Sequence, residues 1–182
     1  MTRIPILDPA DMTEAQRRLA EEVTGPRGGV LRGPFAVWLR VPALCERTHP
    51  LGMHFRTATA LPPRLKELAV LTTARYWKAQ YAWAAHERAA REAGLSKPVI
   101  EALRHRRVPP LESDEERCAY DALTELLELR NLTDETYARA RMALGEGKLI
   151  ELVALAGYYT MIALTVNAFE VPPPDGGPPP LA

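Results

Sequence analysis

The chain has 182 residues, of which 47% are hydrophobic and 25% charged, values that are ordinary for one globular domain. Lysine plus arginine and aspartate plus glutamate both number 23, so no net charge favours nucleic acid or an anionic membrane as a partner. No stretch reaches the roughly 18 uninterrupted apolar residues of a membrane span. The closest stretch, residues 149–169, contains Glu151 and Asn167. We therefore expect neither a nucleic-acid nor a membrane partner.

The two cysteines, Cys45 and Cys118, lie far apart and lack the spacing of metal ligands. We expect both to be reduced thiols, in a protein without a metal or other cofactor. The first residues contain no apolar run of signal-peptide length, which favours a cytoplasmic protein.

The first third of the chain predicts short helices separated by prolines and glycines. Asp11 or Thr13 can cap a helix that ends near residue 23. Residues 25–33 contain four glycines without the Lys-Ser/Thr ending of a phosphate loop, so a flexible loop is expected. A short apolar helix over 35–40 follows, and then a helix over 43–60 in which Pro50 should produce a kink.

The second half of the chain predicts helices up to a proline-rich end. Ser96 caps a short helix, and Ser113 with Glu116 has capping-box spacing ahead of a helix that ends near residue 129. Helices over 133–144 and 148–169 follow. We predict an all-α, single-domain bundle of seven or eight helices over residues 1–170, with residues 171–182 as a Pro/Gly-rich extended tail.

Residues 61–94 predict a helical hairpin at the centre of the bundle. Pro62 and Pro63 suit a helix start, and Gly94 suits the end of the second helix. Glu67 on the first helix and His86 on the second form the one plausible acid–base pair of the sequence. His86 follows Ala79, Ala82 and Trp83 at i, i+3, i+4, i+7 spacing, which places all four on one helix face.

The hairpin resembles the carboxymuconolactone decarboxylase family, which also contains the alkylhydroperoxidase D peroxidases. The motif of that family is a glutamate followed by Cys-x-x-Cys-x-x-x-His, which corresponds here to Glu67, Ala79, Ala82 and His86. Many members that are not peroxidases have Tyr-Glu-Trp before the histidine, and this chain has Tyr-Ala-Trp over 81–83. The resemblance extends to the Gly-Pro-Phe entry at 33–35 and to residues 157–172, and it implies a homotrimer or homohexamer with the hairpin near the subunit contacts.

The acid–base pair favours cofactor-independent chemistry on a small organic acid, lactone or related ring. Decarboxylation of an unsaturated lactone acid requires a proton donor, a cation for the carboxylate and a dry pocket. A histidine exchanges protons near neutral pH, so His86 is the candidate general acid/base, with Glu67 as its orienting partner. The same pair could serve another lyase or an isomerase. The candidate substrate-binding residues are Ala79, Tyr81, Ala82, Trp83 and Tyr158, and Arg56 or Arg75 could bind an acid group.

The sequence leaves two other functions open. A thiol peroxidase requires a thiolate and a resolving thiol, which alanines 79 and 82 cannot supply. A non-catalytic binding or oligomeric scaffold protein of the same fold would keep Glu67 and His86 only as a structural hydrogen bond.

Overall fold

The computed structural model describes residues 2–25, 29–174, 176–177 and 179–182. These residues form nine α-helices and no strand, which confirms the all-α prediction and exceeds by one the largest predicted number of helices. Residues 26–28 of the predicted glycine-rich loop and residues 175 and 178 of the tail lie outside this description. The helices are α1 Glu14–Thr24, α2 Pro34–Trp38, α3 Pro42–Thr57, α4 Pro63–Tyr76, α5 Gln80–Glu92, α6 Lys97–Arg104, α7 Asp114–Leu129, α8 Asp134–Leu144 and α9 Glu146–Ala168.

Proline begins several helices, because its fixed φ suits the first turn and its missing amide hydrogen costs nothing there. Pro34, Pro42 and Pro63 are the first residues of α2, α3 and α4. Pro50 lies inside α3, which nevertheless continues as one helix to Thr57.

Side-chain caps begin three of the other helices. Thr13 caps α1 and forms a reciprocal capping box with Gln16. Ser113 accepts a hydrogen bond from the Glu116 amide at 3.1 Å, and Thr133 caps α8 in the same way. These bonds satisfy amide groups that have no partner within the helix.

Helix α4 lies at the centre of the bundle and packs against α5, α7 and α9. It is buried along most of its length, from Leu65 to Arg75, so that residues on several of its faces belong to the core. The hydroxyls of the buried residues Thr72 and Thr73 donate hydrogen bonds to backbone carbonyls one turn earlier in the helix. Glu67 is the one carboxylate among the buried residues of α4, and the site is built on it.

Helix α9 is long and apolar enough to cross a membrane by length and composition. Core helices of soluble proteins have the same properties, and α9 packs against α2, α4, α5, α7 and α8. Its inward face includes Leu152, Leu155 and Ala163, each no more than 1% exposed. These contacts agree with the role of a core helix.

The described part of the tail packs against the hairpin. Leu181 is 4% exposed and exchanges two hydrogen bonds with the Gln80 side chain, at 2.8 and 2.9 Å. Arg104 donates to the Pro180 carbonyl at 2.7 Å, and Arg75 donates to Ala182 at 3.3 Å. Between these contacts and α9, Pro174 lies at the edge of the cavity described below.

Candidate active site

Glu67 and His86 form a close pair between the two helices of the hairpin. His86 Nδ1 lies 2.8 Å from Glu67 Oε2. The carboxylate side chain is 6% exposed, and the imidazole is 26% exposed. Lys66 Nζ lies 3.6 Å from the other carboxylate oxygen, Oε1. A buried carboxylate therefore holds a histidine that retains access to the space beside it.

The second nitrogen of His86 contacts a residue that the sequence analysis did not select. Tyr159 on α9 places its hydroxyl 2.9 Å from His86 Nε2. The two rings meet edge to face, with centroids 5.1 Å apart and an interplanar angle of 87°. Three residues from α4, α5 and α9 thus form one continuous hydrogen-bonded chain, Glu67–His86–Tyr159.

This chain lies in the wall of a cavity of about 790 Å³. Its wall combines residues 32–35, which form the α2 entry segment, with one face of each of α3, α4, α5 and α9 and with Pro174 of the tail. Two of the aromatic lining residues, Tyr81 and Tyr158, were predicted substrate-binding residues, and Ala82 also lines the cavity. Alanines 84, 85 and 89 leave room along α5. A small ring system fits a space of this size.

The cavity wall carries an excess of positive charge. Arg32, Arg56, Lys66 and Arg88 line it, whereas Glu67 is the one carboxylate among the described lining residues. Lys66 and Arg88 have carboxylate partners, Glu67 and Glu92. Such an arrangement attracts an anionic ligand into the cavity.

Glycines allow two close approaches in this wall. A Cβ at Gly33 would lie 2.6 Å from the Tyr81 ring, and the φ of +66° at Gly33 also favours glycine. A Cβ at Gly52 would overlap the Tyr158 hydroxyl. The α2 entry segment and α3 can therefore lie directly against the two tyrosines.

Ala79 and Trp83 do not line the cavity, which corrects two of the predicted substrate-binding residues. Both are fully buried. Trp83 Nε1 donates to Glu87 at 2.9 Å, and the Arg104 guanidinium lies 5.1 Å from the Trp83 ring. One residue turns a helix by about 100°, so Trp83 points into the core on the other side of α5 from the cavity.

Arg56 and Arg75, the two arginines considered as ligands for an acid group, lie in different places. Arg56 lines the cavity, but Arg75 does not. Arg75 Nε donates to the Arg104 carbonyl at 2.6 Å, and burial, with the neighbouring charge of Arg106, lowers the pKa of Arg75. His54 lies outside the cavity lining, with its Nε2 3.3 Å from Glu151 Oε1.

Comparison with known proteins finds similarity to one family in the part of the chain that carries this arrangement. The model of the carboxymuconolactone decarboxylase family matches residues 46–125, which include both Glu67 and His86. The resemblance predicted from the sequence is thereby confirmed over these residues. A comparison with curated protein sequences finds no significant match.

Solved structures share the fold at low sequence identity. A peroxidase-related protein from Silicibacter sp. TM1040 has a TM-score of 0.75 at 16% identity, covering 94% of this chain and 91% of that one. The debrominase Bmp8 has a TM-score of 0.73 at 13% identity, covering 93% and 91%, and a second structure of it holds 2,3,4-tribromopyrrole. An AhpD-type protein of unknown function from Agrobacterium tumefaciens has a TM-score of 0.63 at 14% identity, covering 71% and 89%.

Proposed function

From the carboxymuconolactone decarboxylase family match of residues 46–125 and the geometry of the cavity, we propose a cofactor-independent acid–base enzyme. Its substrate is a small organic acid, lactone or related ring, and its reaction is a decarboxylation, another lyase reaction or an isomerisation. His86 supplies and accepts the proton, and Glu67 orients the imidazole and stabilises its charged form.

One observation carries the proposal: the 2.8 Å contact between Glu67 and His86 lies at the wall of a cavity large enough for a small ring. A carboxylate–imidazole pair buried in solid packing would favour a purely structural hydrogen bond. Here the imidazole is partly exposed to the cavity, within reach of a bound molecule.

The cations of the wall support an acid as the substrate. Arg56 is exposed and lines the cavity, and its guanidinium forms no hydrogen bond or ion pair with the residues that the structure describes. It can receive a carboxylate, and removal of a proton or of carbon dioxide would leave negative charge on a ring in the same positive field. The debrominase of the same fold, which holds a small brominated pyrrole, supports a ring-sized substrate.

Thiol peroxidase chemistry has less support. Cys45 is buried and Cys118 is half-buried, and neither is among the described lining residues. The two motif positions, Ala79 and Ala82, carry no sulfur. A peroxide bound in this cavity would therefore meet an imidazole and a phenol rather than a thiolate.

We further propose that the chain is a cytoplasmic homotrimer or homohexamer. The outward face of α9 supports self-association, because Ile150, Val153 and Leu164 are 40–62% exposed on one apolar helix. Apolar helix faces of this kind are commonly covered by a second subunit. Light scattering from the purified chain measures the mass in solution directly.

Substrate screening with matched histidine variants tests the proposed activity. Carboxymuconolactone and a set of unsaturated lactone acids and cyclic keto acids are incubated with the protein in D₂O, and NMR records carbon dioxide loss and deuterium uptake. We expect His86→Gln to lower turnover at least about 100-fold, the scale of a lost general acid or base. Circular dichroism melting checks that the variant folds.

His105→Gln is the control, because His105 also faces a glutamate, with Nε2 3.6 Å from Glu101 Oε2, but lies on the surface. We expect it to leave turnover unchanged. Equal turnover by wild type and His86→Gln would contradict the role of His86. Consumption of none of the acids would favour the non-catalytic binding protein.

A further inference from the structure

Both ring nitrogens of His86 are already engaged. Nδ1 lies 2.8 Å from Glu67 Oε2, and Nε2 lies 2.9 Å from the Tyr159 hydroxyl. An imidazole has only these two positions at which it can donate or accept a proton. A ligand in the cavity therefore finds no ring nitrogen of His86 available for proton transfer while this arrangement persists.

When the imidazole of His86 is neutral, the chemistry of its partners sets the direction of both hydrogen bonds. An ionised carboxylate can only accept, so the proton of the neutral imidazole is on Nδ1 and is donated to Glu67. Nε2 then carries the lone pair, and the Tyr159 hydroxyl donates to it. The Tyr159 hydroxyl thus continues the hydrogen-bonded chain from His86 at the wall of the cavity.

We propose that Tyr159 is the catalytic residue that exchanges the proton with the substrate, and that His86 acts through it. The proposal rests on the proposed function and assigns the contact with the reacting atom to a residue of α9. Tyr159, His86 and Glu67 all line the cavity, but Glu67 is buried whereas the other two are partly exposed.

The proton transfer balances without any further reactant. A C–H bond of the substrate breaks, its proton binds to the Tyr159 oxygen, and its electron pair stays on the substrate as an enolate. At the same time the original Tyr159 proton moves to His86 Nε2, and the resulting imidazolium is stabilised by Glu67. The reverse movement returns a proton to another carbon of the substrate, which completes an isomerisation.

The surrounding contacts hold Tyr159 in the position that this transfer requires. Its ring packs edge to face on His86 and on Tyr158, with centroid distances of 5.1 and 5.7 Å. The next residue, Thr160, accepts a hydrogen bond from Trp77 Nε1 at 3.0 Å, which fixes α9 against the end of α4. A catalytic group must be held in this way within a few tenths of an ångström.

Removal of one oxygen atom tests the assignment. Tyr159→Phe keeps the ring contacts and removes only the hydroxyl. With a compound of the above set that the wild type consumes, we expect kcat to fall at least about 100-fold and KM to change less than about threefold. Tyr120→Phe, at a half-buried tyrosine of α7 outside the cavity lining, is the control and should leave both constants unchanged.

A second measurement needs no substrate. In protein labelled with ¹⁵N-histidine, the resonances of His86 are those that disappear in His86→Gln. We expect the wild type to show a protonated Nδ1 and an Nε2 that accepts a hydrogen bond. In Tyr159→Phe the Nε2 resonance should move to the position of an unbonded nitrogen, with Nδ1 still protonated.

The outcomes separate this proposal from the proposed function. Full turnover by Tyr159→Phe together with an inactive His86→Gln would overturn the role of Tyr159 alone. A proton on Nε2 in the wild type would also overturn it. So would an Nε2 resonance that has the same chemical shift in Tyr159→Phe as in the wild type. A wild type that consumes no compound would instead overturn the proposed function, and the role of Tyr159 with it.

Discussion

At the scale of single residues, Gly52 allows α3 to lie directly against Tyr158. A Cβ there would overlap the Tyr158 hydroxyl and lie 3.1 Å from Tyr158 Cζ. Tyr158 is 6% exposed, and its ring packs on Phe55 with a centroid distance of 5.6 Å. A buried, packed ring can move only by displacing its neighbours.

We expect Gly52→Ala to lower the free energy of unfolding by about 1–3 kcal/mol, the usual cost of overpacking. The gain in helix propensity, about 1 kcal/mol, offsets only part of this cost. Urea denaturation measures the difference. Gly157→Ala, at an exposed position of α9, is the control, because nothing lies within 4 Å of a Cβ built there, and it should be neutral or stabilising. A Gly52→Ala protein as stable as the control would contradict the close packing.

The sequence predicted part of the site residue by residue. Glu67 and His86 could be paired because motif spacing places them on adjacent helices, and the structure brings them within 2.8 Å. Tyr159 could not be paired with His86, because it lies 73 residues away on α9. The sequence feature that points to Tyr159 is its place in a helix predicted to be buried, where a tyrosine hydroxyl requires a hydrogen-bond partner. The sequence does not identify that partner.

At the scale of elements, Glu87 joins α5 to α6 on the side opposite the cavity. Its carboxylate accepts hydrogen bonds from Trp83 at 2.9 Å and Arg91 at 2.6 Å, and forms an ion pair with Arg104 at 2.7 Å. Burial alone would raise the pKa of Glu87, but these hydrogen bonds outweigh burial and lower it. The ionised carboxylate therefore stabilises the packing of α5 on α6.

The lowered pKa of Glu87 predicts a pH-dependent loss of stability in Glu87→Gln. The contribution of the carboxylate is fully present above the ordinary value of 4.5 and is lost as the pH falls through the lowered pKa. We expect the variant to be less stable than wild type by about 1–3 kcal/mol at neutral pH, with a smaller difference in acid. Urea unfolding at several pH values measures this difference.

Glu92→Gln is the control for that experiment, since Glu92 pairs with Arg88 on the surface of the same helix, where ion pairs contribute little. Equal effects of the two variants, or a Glu87→Gln effect that does not change with pH, would contradict the role of Glu87.

The ends of helices could be predicted where residues have strong local backbone preferences. The side of each helix that faces its neighbours could not be predicted. Pro63 and Gly94 delimit the hairpin because proline and glycine fix the backbone locally. Helix α9 is apolar around most of its circumference, so its pattern predicts burial without showing which side faces α5. On α5, Trp83 and Ala82 are adjacent in sequence, yet only Ala82 lines the cavity.

At the scale of the whole molecule, the site exists only because separate parts of the chain meet around α4. The cavity takes residues from the α2 entry segment, from α3, α4, α5 and α9, and from the tail at Pro174. Tail residues form hydrogen bonds with Gln80 of the hairpin and with Arg104 of α6. Composition predicted the extended tail, but only tertiary packing reveals that it borders the site.

The central claim is that this cavity holds a small acid against the Glu67–His86–Tyr159 chain. The most direct measurement is a crystal structure of His86→Gln with carboxymuconolactone bound. We expect the ring in the cavity, its reacting carbon about 3–3.5 Å from the Tyr159 hydroxyl, and its carboxylate toward Arg56. A compound bound elsewhere, or an empty cavity at saturating concentration, would contradict the claim.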